Sequence, residues 1–158
     1  MLRLLILTAA CVLCQGPLAA TAAPDDRVEK ARAAIWAKEM AIYEGRSHGM
    51  IDFYLNNASS NFLAWTAGTP APFRIDKLRA GGAALRNHNQ EIIKTTFRDF
   101  SLSGDTAIIY YQNHRTRLAD GTTVDQTYDN IHVWQLDHDE WKVLASMSRA
   151  MPSVAPPR

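Results

Sequence analysis

Glu39 and His132 stand far apart in the chain, yet they are the residue types that move protons. A desolvated carboxylate and an imidazole both exchange a proton near neutral pH, so a facing pair suits general acid–base catalysis. Tyr43, Tyr111 and Asn130 carry hydroxyl and amide groups that can hold a carbonyl or enolate oxygen. We therefore expect Glu39 and His132 to face each other across a cavity as the catalytic pair. Trp36, Tyr43, Tyr111, Asn113, Tyr128, Asn130 and Trp134 are the expected ligand-binding residues. The competing expectation is structural: Glu39 pairs with Arg32 or with a tyrosine hydroxyl, since ion pairs also hold folds together.

The spacing behind these choices comes from two elements. In "YDNIHVW", Tyr128, Asn130, His132 and Trp134 share one face of a strand, and Asp129, Ile131 and Val133 share the other. A flat two-layer sheet would turn the aliphatic row inward. A curved sheet around a ligand would instead mix large aromatics with isolated polar groups, which the Tyr-Asn-His-Trp row offers. In "DRVEKARAAIWAKEMAIYEG", Val28, Ile35, Trp36, Ile42 and Tyr43 fall on one broad helix face, and Glu39 sits in its middle. A bare carboxylate there costs several kcal/mol, so it must be paired, protonated or facing a wet pocket.

Other chemistry is poorly supplied. Asp137-His138-Asp139-Glu140 has metal-ligand residue types, but four consecutive turn residues converge badly on one ion, so no metal site is expected. His48 and His88 lie near helix ends, where capping is the expected role. Asp99, in parity with Phe97, is a reserve carboxylate. Of the adjacent His114 and Arg115, one must be solvated. "AGGAAL" lacks the spacing of a phosphate loop, and no Gly-x-Ser-x-Gly elbow occurs. No cofactor is expected.

The elements that must position these residues read as helices followed by strands. The opening helix begins at the acidic Asp25-Asp26 and stops at Gly45. "HGMIDFYLNN" is a shorter helix, "SSNFLAW" a short strand before a Gly/Pro loop, and Arg74–His88 helical in period. Gly81-Gly82 weakens that last helix by about 1 kcal/mol per glycine. From Glu91 the chain is β-branched and aromatic, with turns at Ser103-Gly104-Asp105, Asp120-Gly121 and Asp137–Glu140. Helices first and an antiparallel meander second make an α+β domain.

The 158 residues suit one domain, with 47% hydrophobic and 21% charged content and a net charge of +1. Scattered basic residues and a near-zero charge give no nucleic-acid footprint. Arg3, the apolar run Leu4–Leu13 and the small residues around Ala20-Thr21-Ala22 form a secretory signal, residues 1–22, cleaved near Ala22. That run is too short to span a bilayer, so no stable membrane anchor is expected. Cys11 and Cys14 leave with the signal, which excludes a cysteine nucleophile and a disulfide scaffold. The expected location is the periplasm or the medium. The Pro-rich segment 153–158 reads as a flexible tail.

The long opening helix with "IYEG", the "SGDTAIIYY" turn and strand, the "RLADGTTV" hairpin and the closing "HVWQLDHDEWKVLASMS" hairpin together resemble the nuclear transport factor 2-like superfamily, more narrowly its SnoaL-like bacterial members. The resemblance spans residues 25–152. It implies a cone-shaped α+β barrel, with N-terminal helices packed in a strongly curved antiparallel sheet and a pocket at the wide end. It also implies a homodimer through the outer face of the sheet. Fold alone does not give function. A binder of a small hydrophobic or aromatic ligand ranks first. A cofactor-independent lyase or isomerase ranks second, and a dimeric interaction module with a filled cone third.

Overall fold

The structure is a computed structural model that describes residues 26–86 and 88–152. The expected signal, residues 1–22, and the tail, residues 153–158, lie outside the described residues. Helix α1 (Asp26–Ser47) buries Ala31, Ile35, Glu39 and Ile42, a stripe spaced four, four and three residues apart. Asp26 and Glu29 stand in its first turn and Arg46 in its last, each complementing the helix dipole. The helix outruns the expected stop at Gly45 by two residues. The chain reverses at Gly49, whose φ of 73° is the left-handed conformation a stop needs.

Helix α2 (Asp52–Asn57) leads directly into β1 (Ala58–Trp65), and β2 (Phe73–Arg74) precedes α3 (Ile75–Leu85). Four long strands follow: β3 (Ile92–Ser103), β4 (Thr106–Arg117), β5 (Thr123–Asp137) and β6 (Glu140–Ala150). Their sheet order is β2-β1-β6-β5-β4-β3. The expected class, helices held in a curved sheet, is what the chain adopts, with one correction to the sheet. It is mixed and open rather than wholly antiparallel, because β1 pairs with β6 in parallel. Residues 66–139, crossing over from β1 by way of three antiparallel strands, bring β6 back beside it in the same direction.

The β5–β6 hairpin turns at His138 and Asp139, both at positive φ, as a two-residue loop matching the strand twist requires. The core joins Ile35 and Ile42 of α1 to Phe62, Ala64, Ala107, Ile109, Tyr111, Trp134 and Val143 of the sheet. On β5 the inward row is Asn130, His132 and Trp134, all buried, while Ile131 and Val133 turn outward. The polar-aromatic face thus wraps α1. Gly82 explains the glycine pair inside α3: a Cβ there would stand 2.0 Å from Ile51 Cδ1. The missing side chain lets α3 close down on Ile51.

Candidate functional site

Glu39 is fully buried in α1. Its Oε1 accepts hydrogen bonds from His132 Nδ1 at 2.7 Å and from Trp134 Nε1 at 2.8 Å. Arg32, the partner expected in the structural alternative, pairs with Glu29 instead. Glu39 and His132 therefore meet directly; they do not face each other across open space. Oε2 of Glu39 is buried and accepts no hydrogen bond from any described residue.

A carboxylate at Nδ1 fixes the proton of a neutral imidazole there and leaves the lone pair on Nε2. Three hydroxyls surround that nitrogen: Ser146 at 3.0 Å, Tyr111 at 3.1 Å and Tyr54 at 3.2 Å. Tyr111 also shares a hydrogen bond of 2.9 Å with Tyr43. The result is a continuous polar chain from Glu39 through His132 and Tyr111 to Tyr43, inside the core. Burial raises the Tyr43 hydroxyl to about 12, and the negative charge of Glu39 adds to the effect. Burial likewise drives Tyr54 and Tyr111 upward, so all three phenols stay protonated and able to donate.

The site opens onto a cavity of about 470 Å³ between α1, α2, α3 and the inner sheet face. This lies in the size range of small-molecule sites. Tyr43, Asn113, Tyr128, Asn130 and His132 stand on its wall. Three other expected ligand contacts lie elsewhere. Tyr111 is buried behind Tyr43 and His132, where it relays between their polar atoms. Trp134 is buried at the closed end beside Glu39, its indole nitrogen spent on the carboxylate. Trp36 packs edge-on against Phe97, with ring centroids 5.6 Å apart, on the β3 side of α1.

Several wall residues escaped sequence reasoning. Tyr54 reaches the histidine from the six-residue α2, where Phe53 beside it is an equally plausible inward aromatic. Ser146 and Ser148 pair with His132 and Asn130 across the β5–β6 ladder, and their shared parity in "ASMSR" was the available signal. Arg46 and Arg115 also line the cavity, which makes His114 the solvated member of its pair, bonded to Asp125. Asp99 is not a reserve carboxylate. A bulge between Phe97 and Asp99 breaks the two-residue alternation, so Phe97 faces Tyr111 while Asp99 falls opposite the outward Tyr110. His48 caps its own helix end, with Nδ1 on the Glu44 carbonyl at 2.9 Å.

No protein-family model matches the chain, and no curated protein matches it in sequence. Solved structures do match it. A provisionally assigned dehydratase of the NTF2-like family from Streptomyces avermitilis superposes with a TM-score of 0.66 at 16% identity, covering 78% of this chain and 98% of that one. An NTF2-like protein from Cytophaga hutchinsonii gives 0.62 at 15% identity, covering 76% and 98%. A ketosteroid isomerase-like protein from Erwinia carotovora atroseptica gives 0.62 at 14% identity, covering 76% and 95%. At these identities the likeness establishes the fold.

Proposed function

We propose that this chain, which has the NTF2-like fold, is an exported lyase or isomerase that moves a proton next to a carbonyl. The observation that carries the proposal is the buried Glu39–His132 pair, with the histidine on the cavity wall. A filled structural core has no need of such a pair, because well-packed apolar residues of similar volume stabilise as much or more. His132 Nε2 is the general base. Glu39 holds the ring in the tautomer that frees Nε2 and stabilises the imidazolium once the proton arrives.

The developing oxyanion is met by phenols. Tyr54 and Tyr43 both line the cavity, and both are held protonated by burial, so each donates a hydrogen bond to a substrate oxygen. Asn113 and Asn130 supply further amide donors on the same wall. Side chains alone suffice for this step. Export rests on the signal-like residues 1–22.

The test is deuterium exchange. Ketones and aldehydes with an acidic C–H next to the carbonyl are incubated with the protein in D₂O and followed by proton NMR. Catalysed exchange that is lost in His132→Gln, with the variant still folded, supports the proposal. Exchange no faster than buffer across the panel, despite measurable binding, returns the chain to the reading of a pure small-molecule binder.

A further inference from the structure

Three cationic side chains, Arg46, Lys77 and Arg115, line the cavity, and among the described residues no carboxylate does. Behind two of them lies Glu91, whose side chain is only 2% exposed. Arg46 grips it with Nε at 2.6 Å and Nη2 at 3.3 Å. Arg115 Nε stands 3.0 Å from Glu91 Oε1 without reaching hydrogen-bond geometry. Two guanidinium groups thus share one carboxylate. Their side chains are 32% and 19% exposed, so the surplus positive charge is largely shielded from bulk water. An uncompensated charge in such a place is costly unless a counter-charge joins it.

The cations also stand further along the same elements that carry the proton-transfer groups. Along α1, Glu39, Tyr43 and Arg46 follow one another at helical spacing, placing Arg46 about 10 Å beyond Glu39. Along β4, Tyr111, Asn113 and Arg115 occupy successive inward positions, placing Arg115 about 14 Å beyond Tyr111. The two elements are cross-linked in order. Glu39 meets His132, which is registered opposite Ile109 of β4; Tyr43 meets Tyr111; Arg46 meets Arg115 through Glu91. The cavity therefore has a proton-transfer end and a cationic end. Tyr128 lies between them on β5, its ring 5.4 Å from the Arg115 guanidinium carbon.

We propose that the substrate is a small oxo acid, whose carboxylate is seated on Arg115 and Arg46 while its carbonyl reaches His132 and Tyr54. Resting on the proton-transfer reading above, this names its substrate class. The distance the acid must span between carbonyl and carboxylate is read from the chain lengths of the acids compared below. Arg115 approaches Glu91 through Nε, and a guanidinium fork matches a carboxylate in two parallel hydrogen bonds. Lys77, exposed at the rim over the Phe73 ring at 5.0 Å, adds attraction at entry.

The experiment compares 4-oxopentanoate, 4-oxo-4-phenylbutanoate and 5-oxo-5-phenylpentanoate, each beside its primary amide, by calorimetric titration of the full-length mature chain. At least one acid is expected to bind about tenfold or more tightly than its amide, a preference that shrinks as salt is raised. Arg115→Gln is expected to erase the preference for acid over amide. If that variant fails to fold, the acid–amide comparison on the native chain still decides. Equal affinity for acid and amide throughout, or binding of neither, overturns the proposal. Deuterium exchange in the same samples separates the two readings. A preferred acid that never exchanges ends the proton-transfer reading and keeps the anion site, whereas exchange without acid preference does the reverse.

Discussion

His132 Nδ1 and Glu39 Oε1 lie 2.7 Å apart although 93 residues separate them in the chain. One comes from the middle of a helix and the other from the inward row of a strand, so only the wrapped sheet brings them together. The contact ties two decisions the chain makes about burial. A carboxylate in an apolar helix stripe is tolerable because an imidazole and an indole N–H meet it, and a polar strand row can turn inward because the helix offers that carboxylate.

Glu39→Gln tests what the charge does. The glutamine carbonyl can still accept from His132 and Trp134, so packing is preserved. Altering one partner of a buried pair carries a stability cost, so the variant is compared only where circular dichroism shows it folded. The proton-transfer proposal requires more than shape, since a neutral amide cannot stabilise the imidazolium. Catalysed exchange should fall about 100-fold or more, with ligand affinity changed by no more than about threefold. Exchange at the native rate in a folded Glu39→Gln protein would remove Glu39 from the mechanism.

The glycine pair in α3 gives a prediction of opposite signs. A Cβ on Gly81 meets nothing within 4 Å, so Gly81→Ala should stabilise by about 0.5–1 kcal/mol through helix propensity. A Cβ on Gly82 would stand 2.0 Å from Ile51 Cδ1 and 2.2 Å from Ile51 Cγ1. Gly82→Ala should therefore destabilise by about 1–3 kcal/mol, and adding Ile51→Ala should recover part of that loss. Chemical denaturation of the three variants is the measurement. Equal effects at the two glycines would mean that α3 does not pack on Ile51.

The same contrasts show what could be read from the sequence. Glu39 was legible because a carboxylate interrupts an apolar helix stripe, and His132 because strict alternation assigns it a face. Alternation fails where a strand bulges, and so Asp99 was placed on the wrong side of β3. Side-chain parity also cannot tell a cavity wall from the packed layer behind it. Trp134 and Tyr111 point inward as expected, but α1 covers them. The sharing of Glu91 by Arg46 and Arg115 joins residues 45 and 24 positions away in the chain, with no local pattern to announce it. Parallel pairing of β1 with β6 was hidden for the same reason, since it depends on where the chain returns.

A homodimer through the outer face of the sheet is open to test. Trp65, Met147, Ile131 and Tyr110 follow one another across four neighbouring strands, paired in that order by the ladder register. Trp65 is 50% exposed and Met147 55%, an apolar row of the kind that marks an interaction face. Sedimentation of the mature chain should give the dimer mass, and Met147→Glu should shift it toward monomer with cavity binding retained. A monomer at all accessible concentrations would leave this face without a second copy of the chain.

Alkaline pH offers a test of the buried tyrosine network. The Tyr43 hydroxyl is raised from 10.0 to about 12, by burial first and then by the charge of Glu39, and Tyr54 and Tyr111 are raised in the same direction. A raised pKa means that the folded chain holds the proton more tightly than the unfolded one. The associated stability is therefore fully present below pH 10 and is lost as the pH climbs through the folded value. Between about pH 10 and 12 each such phenol should lower the unfolding free energy by about 1.4 kcal/mol per pH unit. Tyr43→Phe removes one titrating group and should flatten that descent by one such slope, while costing about 1 kcal/mol at neutral pH for the lost hydrogen bond to Tyr111. Urea unfolding from pH 8 to 11.5 reads both effects. A native protein whose alkaline slope is unchanged by Tyr43→Phe would place that hydroxyl in water and break the polar chain from Glu39 to the cavity wall.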